Sequence, residues 1–210
     1  MIKGHARSAM TMNFVRSLID GGFADLHHPE YWDLGWVTQS PQSEQYQKLV
    51  QSVGDSVRFM ETISGEKAHV VNRTDFYTSH EALLLPYEEA VTRQVPRQKG
   101  WFNLSTHYPW IGMRTAQLDG AHVEYFSGIE NPVGVKISAS VSDDQIKQLC
   151  EKLNPANEAG RLTFIHRLGA SNVEKHLPRL IRAVQAEGAR VLWVCDPMHG
   201  NTESTSNGYK

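Results

Sequence analysis

The apolar pattern is clearest in the second half of the chain. Val133-Gly134-Val135-Lys136-Ile137 is a short β-branched run ending in Ser138-Ala139-Ser140, which predicts a strand and its exit loop. Ser142-Asp143-Asp144 supplies an N-cap and an acidic first turn for a helix whose stripe runs through Ile146, Leu149, Cys150 and Leu153. Asn154-Pro155 and Gly160 end it. Residues 161–167 read as a second strand, closed by Leu168-Gly169. Ser171-Asn172-Val173-Glu174 fits a capping box ahead of Leu177, Leu180, Ile181 and Val184, with Gly188 as the stop. Pro178 predicts a kink or a restart within that helix. Residues 190–195 form a third strand.

Strand, helix, strand, helix, strand therefore follow one another. Lys136, Arg167 and Asp196 mark equivalent strand ends spaced about 30 residues apart, the length of one βαβ unit. Such units imply parallel strands, in a doubly wound sheet or in a barrel, and periodicity does not choose between the two. The first half gives fewer signals. Ser40-Pro41 opens an amphipathic helix with Tyr46, Leu49, Val50, Val53, Val57 and Met60 on one face. A second helix is predicted over 6–19, stopping at Gly21-Gly22. Strands are expected near 75–79 and 102–105, the first leading into an apolar segment at 82–85 beside Pro86. No repeat or linker-like tract interrupts the 210 residues, so one domain, 1–210, is the default.

Composition narrows the class without naming a chemistry. A formal net charge of −2 and the absence of like-charge blocks argue against a polybasic nucleic-acid surface. No apolar run reaches membrane-spanning length, and Met1-Ile2-Lys3-Gly4-His5 does not begin a signal peptide. Two cysteines, Cys150 and Cys195, cannot make a disulfide framework and suit a reducing cytoplasm.

Ligands of parallel α/β folds lie at the carboxyl ends of the strands. Those ends carry Lys136, Arg167 and the run Asp196-Pro197-Met198-His199-Gly200-Asn201-Thr202. Two cations on neighbouring strands suit a phosphorylated or carboxylated ligand, while each alone reads as a surface charge at a loop start. His199 can ligate a metal or move a proton, or it can simply hydrogen-bond its own turn. Arg114, in Gly112-Met113-Arg114-Thr115, is either a third anion ligand or the partner of a carboxylate such as Asp119. Tyr108, Trp110 and Trp193 read as core filling. His27-His28, His80, His107, His122, His166 and His176 show no ligand-like spacing. Neither a phosphate-binding Gly-rich loop nor a Gly-x-Ser-x-Gly elbow is present.

Taken together, these residues resemble type II 3-deoxy-D-arabino-heptulosonate 7-phosphate (DAHP) synthases. The resemblance is carried by Ser79-His80-Glu81-Ala82-Leu83, by Trp110-Ile111-Gly112 with Arg114-Thr115, and by Gln117-Leu118-Asp119-Gly120-Ala121-His122-Val123-Glu124. Asn131-Pro132-Val133-Gly134-Val135-Lys136, Leu153-Asn154-Pro155, Gly160-Arg161-Leu162-Thr163 and the run 196–202 continue it in order.

The resemblance implies part of a (β/α)8 TIM-type barrel with several strands missing. It also implies condensation of phosphoenolpyruvate with erythrose 4-phosphate, the first step of the shikimate route to chorismate and the aromatic amino acids. A divalent metal, Mn2+ or Co2+, would be the cofactor, and the full-length protein would be a cytoplasmic homo-oligomer binding neither nucleic acid nor membrane. By motif, Arg114, Lys136 and Arg167 match phosphoenolpyruvate-binding cations, His199 matches a metal ligand, and Lys210 matches a lysine for the sugar phosphate. Lys136, Arg167 and His199 would be the catalytic set. Met113 stands where the family usually has Glu, so a main-chain contact to phosphoenolpyruvate would remain while a carboxylate is lost. Aligned by motif, the chain starts after the first barrel strands and ends before those that carry the acidic metal ligands. The 210-residue chain alone is therefore expected to be inactive and marginally stable. A non-catalytic barrel fragment that binds phosphate compounds or a partner chain is the competing expectation.

Overall fold

The computed structural model describes residues 1–25, 27, 35–65 and 74–209. The chain divides into two compact units, Met1–Phe76 and Tyr77–Lys210. The first contains two long helices. Helix α1 (Ile2–Asp20) buries none of its residues and ends at Gly21, whose amide donates to Ser17 O. Helix α2 (Ser43–Ser64) starts after Pro41 rather than at it. Ser40 closes a turn first, its carbonyl accepting from Ser43 N at 3.0 Å. Gly65, at φ +70°, stops this helix with a bond to Glu61 O. His27 bridges Asp25 through Nδ1 at 2.5 Å and Glu61 through Nε2 at 2.8 Å. The Asp25 hydrogen bond, with help from Glu61, raises its pKa above the ordinary imidazole value. This histidine is held by carboxylates within its own unit.

The second unit carries the parallel sheet. Its strands are β1 (Ser79–Glu81), β4 (Tyr108–Ile111), β5 (Val133–Ile137), β6 (Leu162–His166) and β7 (Val191–Cys195). They lie side by side in that order, all parallel. Lys136 stands opposite Ile165, and His166 opposite both Ile137 and Cys195. A doubly wound sheet reverses its strand order at a switch point. Here each strand sits next to its predecessor without reversal, as in a TIM-type barrel. The sheet is an arc of such a barrel and is not closed.

Alternation along the strands separates two faces. Val133, Val135, Ile137, Leu162 and Phe164 point outward and are buried against Val123 and Phe126 of α4 (Ala121–Ser127), Ile146, Leu149 and Leu153 of α5 (Asp143–Leu153), and Leu180 and Val184 of α6 (Ala170–Ala186). This is the hydrophobic core. Trp193 joins it by packing on Phe164, with ring centroids 5.6 Å apart. The opposite set, including Gly134, Lys136, Thr163, Ile165, Leu192 and Val194, faces the inside of the arc. Leu192 and Val194 are exposed there.

Local signals explain most boundaries. Ser142 caps α5, its Oγ accepting from Gln145 N at 3.1 Å. Helix α6 departs from the expected capping box: Gly169 is its N-cap, and Ala170 N donates to Asn201 Oδ1 at 2.7 Å. A side chain from the loop after β7 thus replaces the local Ser171 cap. The helix also runs through Pro178 without a break, because Leu180, Ala183 and Val184 hold its buried face. At the amino end of the sheet, Arg161 donates to the carbonyls of Leu153 (3.2 Å), Phe126 (3.0 Å) and Asn131. One guanidinium thereby satisfies chain ends of α4 and α5. Beside β1 lie the short helix α3 (Leu85–Ala90) and an antiparallel pair, β2 (Thr92–Arg93) with β3 (Phe102–Asn103). Buried Glu88 of α3 accepts from His80 Nε2 at 2.9 Å and from Asn103 Nδ2 at 2.6 Å, tying the three together.

Candidate functional site

The inward residues of β4 to β7 line an open cleft of about 600 Å³ at the carboxyl ends of the strands. Its floor is Tyr108, Thr163 and Ile165, its sides are Trp110 and Val194, and Lys136, Asp196 and His199 stand at its mouth. The fold places them there for plain reasons. Lys136 occupies the last inward position of β5. Asp196 directly follows β7, and its amide extends the ladder by donating to His166 O at 2.9 Å. His199 comes three residues later, on the turn that Asp196 organises.

Asp196 is the centre of the arrangement. Its side chain accepts from Lys136 Nζ and, at 2.8 Å, from His199 Nδ1. It also accepts from the backbone amides of Met198 and His199, each at 3.0 Å. Burial alone would push this carboxyl group up. The Lys136 ammonium, the His199 amide, the His199 ring and the Met198 amide outweigh it and hold Asp196 well below the usual carboxylate range. Lys136 is further confined by Trp110, whose ring centroid lies 5.0 Å from Nζ. The lysine charge is therefore kept dry on its sides and aimed by one anion and one aromatic face.

The other expected cations stand at the same end of the sheet. Arg167 follows β6, half-buried, with its amide donating to Ile137 O at 3.0 Å. Arg114 lies in the 3-10 helix Met113–Thr115 after β4, exposed like Met113. Neither guanidinium has a hydrogen-bond or ion-pair partner among the described residues, so of the two alternatives for Arg114 the pairing with a carboxylate such as Asp119 is not formed there. The sheet thus brings Lys136 and His199 together through Asp196, and leaves Arg114 and Arg167 just beyond the ends of the strands to either side of β5. Lys210 lies outside the described residues.

Three contributors were not singled out from sequence. Asp196 carries a legible signal, an Asp before Pro whose side chain can accept from the amides two and three residues on. Tyr108 and Trp110, which read as core filling in the sequence, face the cleft. Tyr108 Oη is buried beside the Thr163 hydroxyl without a well-formed hydrogen bond among the described residues, and burial, only partly offset by Thr163, raises the phenol pKa. A lone strand of mixed aromatic and apolar residues does not reveal which face is the inside.

As a metal site, the donor set is partial. Asp196 engages the Nδ1 edge of His199 and the ring is largely exposed, so Nε2 is the edge left for a ligand. No cluster of three His, Cys, Asp or Glu side chains that could hold a metal occurs among the described residues. His199 fits as one donor of a site completed by others.

The profile of the class-II DAHP synthetase family matches residues 1–210. A phospho-2-dehydro-3-deoxyheptonate aldolase of Neurospora crassa is 42% identical over 226 residues, covering 100% of this chain and 47% of that protein. Its namesake in Streptomyces coelicolor is 42% identical over 203 residues, covering 97% of this chain and 45% of the relative. A probable chloroplastic counterpart from Catharanthus roseus is 46% identical over 184 residues, covering 87% and 37% respectively. The chain thus spans about half, or less, of the length of the curated relatives it matches. Among the described residues no helix is long and apolar enough to cross a membrane. With a profile match over its whole length and the cleft at the carboxyl ends of a parallel arc, the chain belongs to the class-II DAHP synthetase family.

Proposed function

We propose that this chain carries the phosphoenolpyruvate cradle and one metal ligand of a 3-deoxy-7-phosphoheptulonate synthase. The reaction is the condensation of phosphoenolpyruvate with erythrose 4-phosphate and water to give DAHP and phosphate, the entry to the shikimate pathway. The observation that carries the reading is the Lys136–Asp196–His199 cluster at the strand ends, flanked by the unpaired Arg114 and Arg167.

Lys136, Arg114 and Arg167 take the phosphate and carboxylate of phosphoenolpyruvate, with the backbone at Met113 as a further contact. Cations fixed before the substrate arrives cost no reorganisation as charge develops, which is where such groups contribute most. The methylene carbon of phosphoenolpyruvate attacks the aldehyde carbon, water adds at the adjacent carbon, and the C–O bond to phosphate is lost. Lys136 is placed to move toward the departing phosphate oxygen or to steady its charge, while Arg167 holds the carboxylate end. Lys210 receives the sugar phosphate. A divalent metal such as Mn2+ or Co2+, with His199 among its ligands, supplies Lewis-acid polarisation of the aldehyde oxygen. The two free cysteines suit a reducing compartment, for which we adopt the cytoplasm, and a homo-oligomer is the assembly we expect of the full-length protein.

Calorimetric titration with phosphoenolpyruvate tests the cradle. Binding should weaken about tenfold or more in Lys136→Met and in Arg167→Met, since each loses a charge-assisted bond. The exposed Arg182→Met should bind as the wild type does. Absence of binding in the wild type, or equal loss in all three variants, would overturn the proposal. Product formation by the full-length protein in the presence of erythrose 4-phosphate and Mn2+, lost with the same two substitutions, tests the reaction itself.

A further inference from the structure

Glu81 is the last residue of β1 and points inward. It pairs in register with Trp110, and Ser79, two positions earlier on the same face, lines the cleft. Its carboxylate reaches sideways over the end of β4. Gly112 holds the next inward position after Trp110, and its backbone is still extended (φ −66°, ψ 153°). A Cβ there would lie 3.1 Å from Glu81 Cδ and collide with Oε1, so the carboxylate fills the place of the missing side chain. The register that sets Trp110 beside Gly134 and Ile111 beside Val135 puts position 112 level with Lys136. The carboxylate therefore stands one strand over from β5, about 5 Å across the sheet. It makes no hydrogen bond or ion pair among the described residues, because Lys136 turns the other way, to Asp196. We propose, resting on the function above, that Glu81 is a specificity-determining residue for the second substrate, accepting a hydrogen bond from a hydroxyl of the sugar phosphate.

Charge decides which part of a ligand meets Glu81. An ionised carboxylate only accepts, and it repels a phosphate or a second carboxylate at hydrogen-bond distance. Phosphoenolpyruvate is anionic at both ends and belongs to the cations after β4, β5 and β6. Erythrose 4-phosphate differs: between its aldehyde and its phosphate it is neutral and carries two hydroxyls, at C2 and C3, each able to donate. A hydroxyl bonded to a charged acceptor makes one of the stronger hydrogen bonds available to a sugar. The site then discriminates against a sugar that lacks this hydroxyl, since the half-buried carboxylate would be desolvated with nothing in return. Gly112 belongs to the same device, because any side chain there would displace the carboxylate from this corner. Arg114, two residues further on, is the competing partner. A carboxylate engaged with Arg114 would serve the anion cradle instead of the sugar, and the two roles part in kinetics.

Steady-state kinetics of the full-length protein with erythrose 4-phosphate and its 2-deoxy and 3-deoxy analogues test the assignment. Glu81→Ala should lower kcat/KM for erythrose 4-phosphate about 10–100-fold, the usual effect of losing a bond to a charged acceptor. The KM for phosphoenolpyruvate should stay within about twofold, because that substrate does not touch Glu81. Glu81→Gln keeps an acceptor oxygen without the charge and should fall between the two. With the analogue that lacks the bonded hydroxyl, wild type and Glu81→Ala should become equal, while the other analogue should preserve the gap. No loss in Glu81→Ala, or a loss of the same size with all three sugars, overturns the assignment. A parallel rise in the KM for phosphoenolpyruvate overturns it as well and gives Glu81 to Arg114. Each of these results leaves the proposed reaction standing. A wild-type protein that forms no product from the two substrates overturns the proposed function, and the role of Glu81 with it.

Discussion

Gly169 and Gly200 meet backbone against backbone. A methyl group on Gly169 would lie 2.5 Å from the Gly200 carbonyl oxygen, and one on Gly200 would lie 2.8 Å from the Gly169 amide nitrogen. Asn201 completes the seam by accepting from Ala170 N and donating to Pro197 O at 2.8 Å. The loop that carries His199 is thereby fastened to the start of α6, shortly after Arg167 in the loop that follows β6. Two expected site residues from different strands share one rigid junction.

This junction predicts an unequal response to alanine. Gly169 and Gly200 both sit at positive φ, +77° and +91°, and both have backbone where a Cβ would go. Gly188 also has a positive φ, +65°, but open space around it. Gly188→Ala should therefore cost only the left-handed backbone penalty, about 1 kcal/mol. Gly169→Ala should cost clearly more, about 2–3 kcal/mol, because rigid atoms must also move. Since the first methyl already opens the gap, Gly169→Ala and Gly200→Ala combined should cost less than their sum. Urea unfolding of the four variants measures all of this, and equal losses at positions 169 and 188 would remove the seam from the argument.

A second close approach governs the floor of the cleft. A Cβ on Gly134 would fall 2.2 Å from Tyr108 Oη and 2.8 Å from Cζ. The phenol lies across β5 at the one position without a side chain. Gly134→Ala should destabilise by about 1–3 kcal/mol through overpacking. In a Tyr108→Ala background the same change should be nearly neutral, which a double-mutant cycle reads directly. Tyr108→Phe alone should change stability by about 1 kcal/mol or less, since the hydroxyl it removes has only Thr163 beside it and no well-formed hydrogen bond among the described residues.

These contacts also show what sequence reading reaches. Strands and helices of the βαβ stretch are legible because their signals are local: a β-branched run at 133–137, a mostly apolar run within 161–167, Ser142 as an N-cap, Gly188 as a stop. Barrel and doubly wound sheet could not be told apart, since strand order is a non-local property with no mark in the period. The Ser171 cap was misread for the same reason. Its true substitute, Asn201, is thirty-one positions away in the chain. At the site, the cations at strand ends were legible from spacing. Asp196 was overlooked because a strand-end Asp before Pro reads as a turn residue, although here one carboxylate serves the turn and both neighbours at once.

Glu88 offers a test of the buried network beside β1. It is 2% exposed and accepts from His80 Nε2 and Asn103 Nδ2, while Asn103 also donates to Tyr125 Oη at 3.0 Å. Glu88→Ala removes the acceptor of His80 Nε2 and leaves Asn103 Nδ2 with Tyr125 Oη alone, beside a cavity where a buried carboxylate stood. A loss of about 3 kcal/mol is expected. Glu88→Gln keeps an oxygen for one donor and should lose less. The two should be compared by thermal unfolding and by hydrogen exchange at Ser79–Glu81. A Glu88→Ala protein as stable as the wild type would mean that the network only decorates the strand.

The two cysteines should separate cleanly by reactivity. Cys195 is exposed, whereas Cys150 is packed into the core from α5. Burial, with minor help from Glu151 and Glu187, pushes the Cys150 thiol up from 9.0 to about 11. Thiolate is the reactive form, so at neutral to mildly basic pH only Cys195 should react quickly with a disulfide reagent. Cys150 should react at a rate set by unfolding. The same shift fixes a sign for stability. The native state keeps the Cys150 proton to higher pH than the unfolded chain does, so stability should fall between pH 9.0 and about 11. Cys150→Ser should flatten this fall relative to the wild type, although a hydroxyl in the core lowers stability at every pH. Two equally fast thiols in the native protein at pH 8 would show that the outer face of the arc is not packed as described.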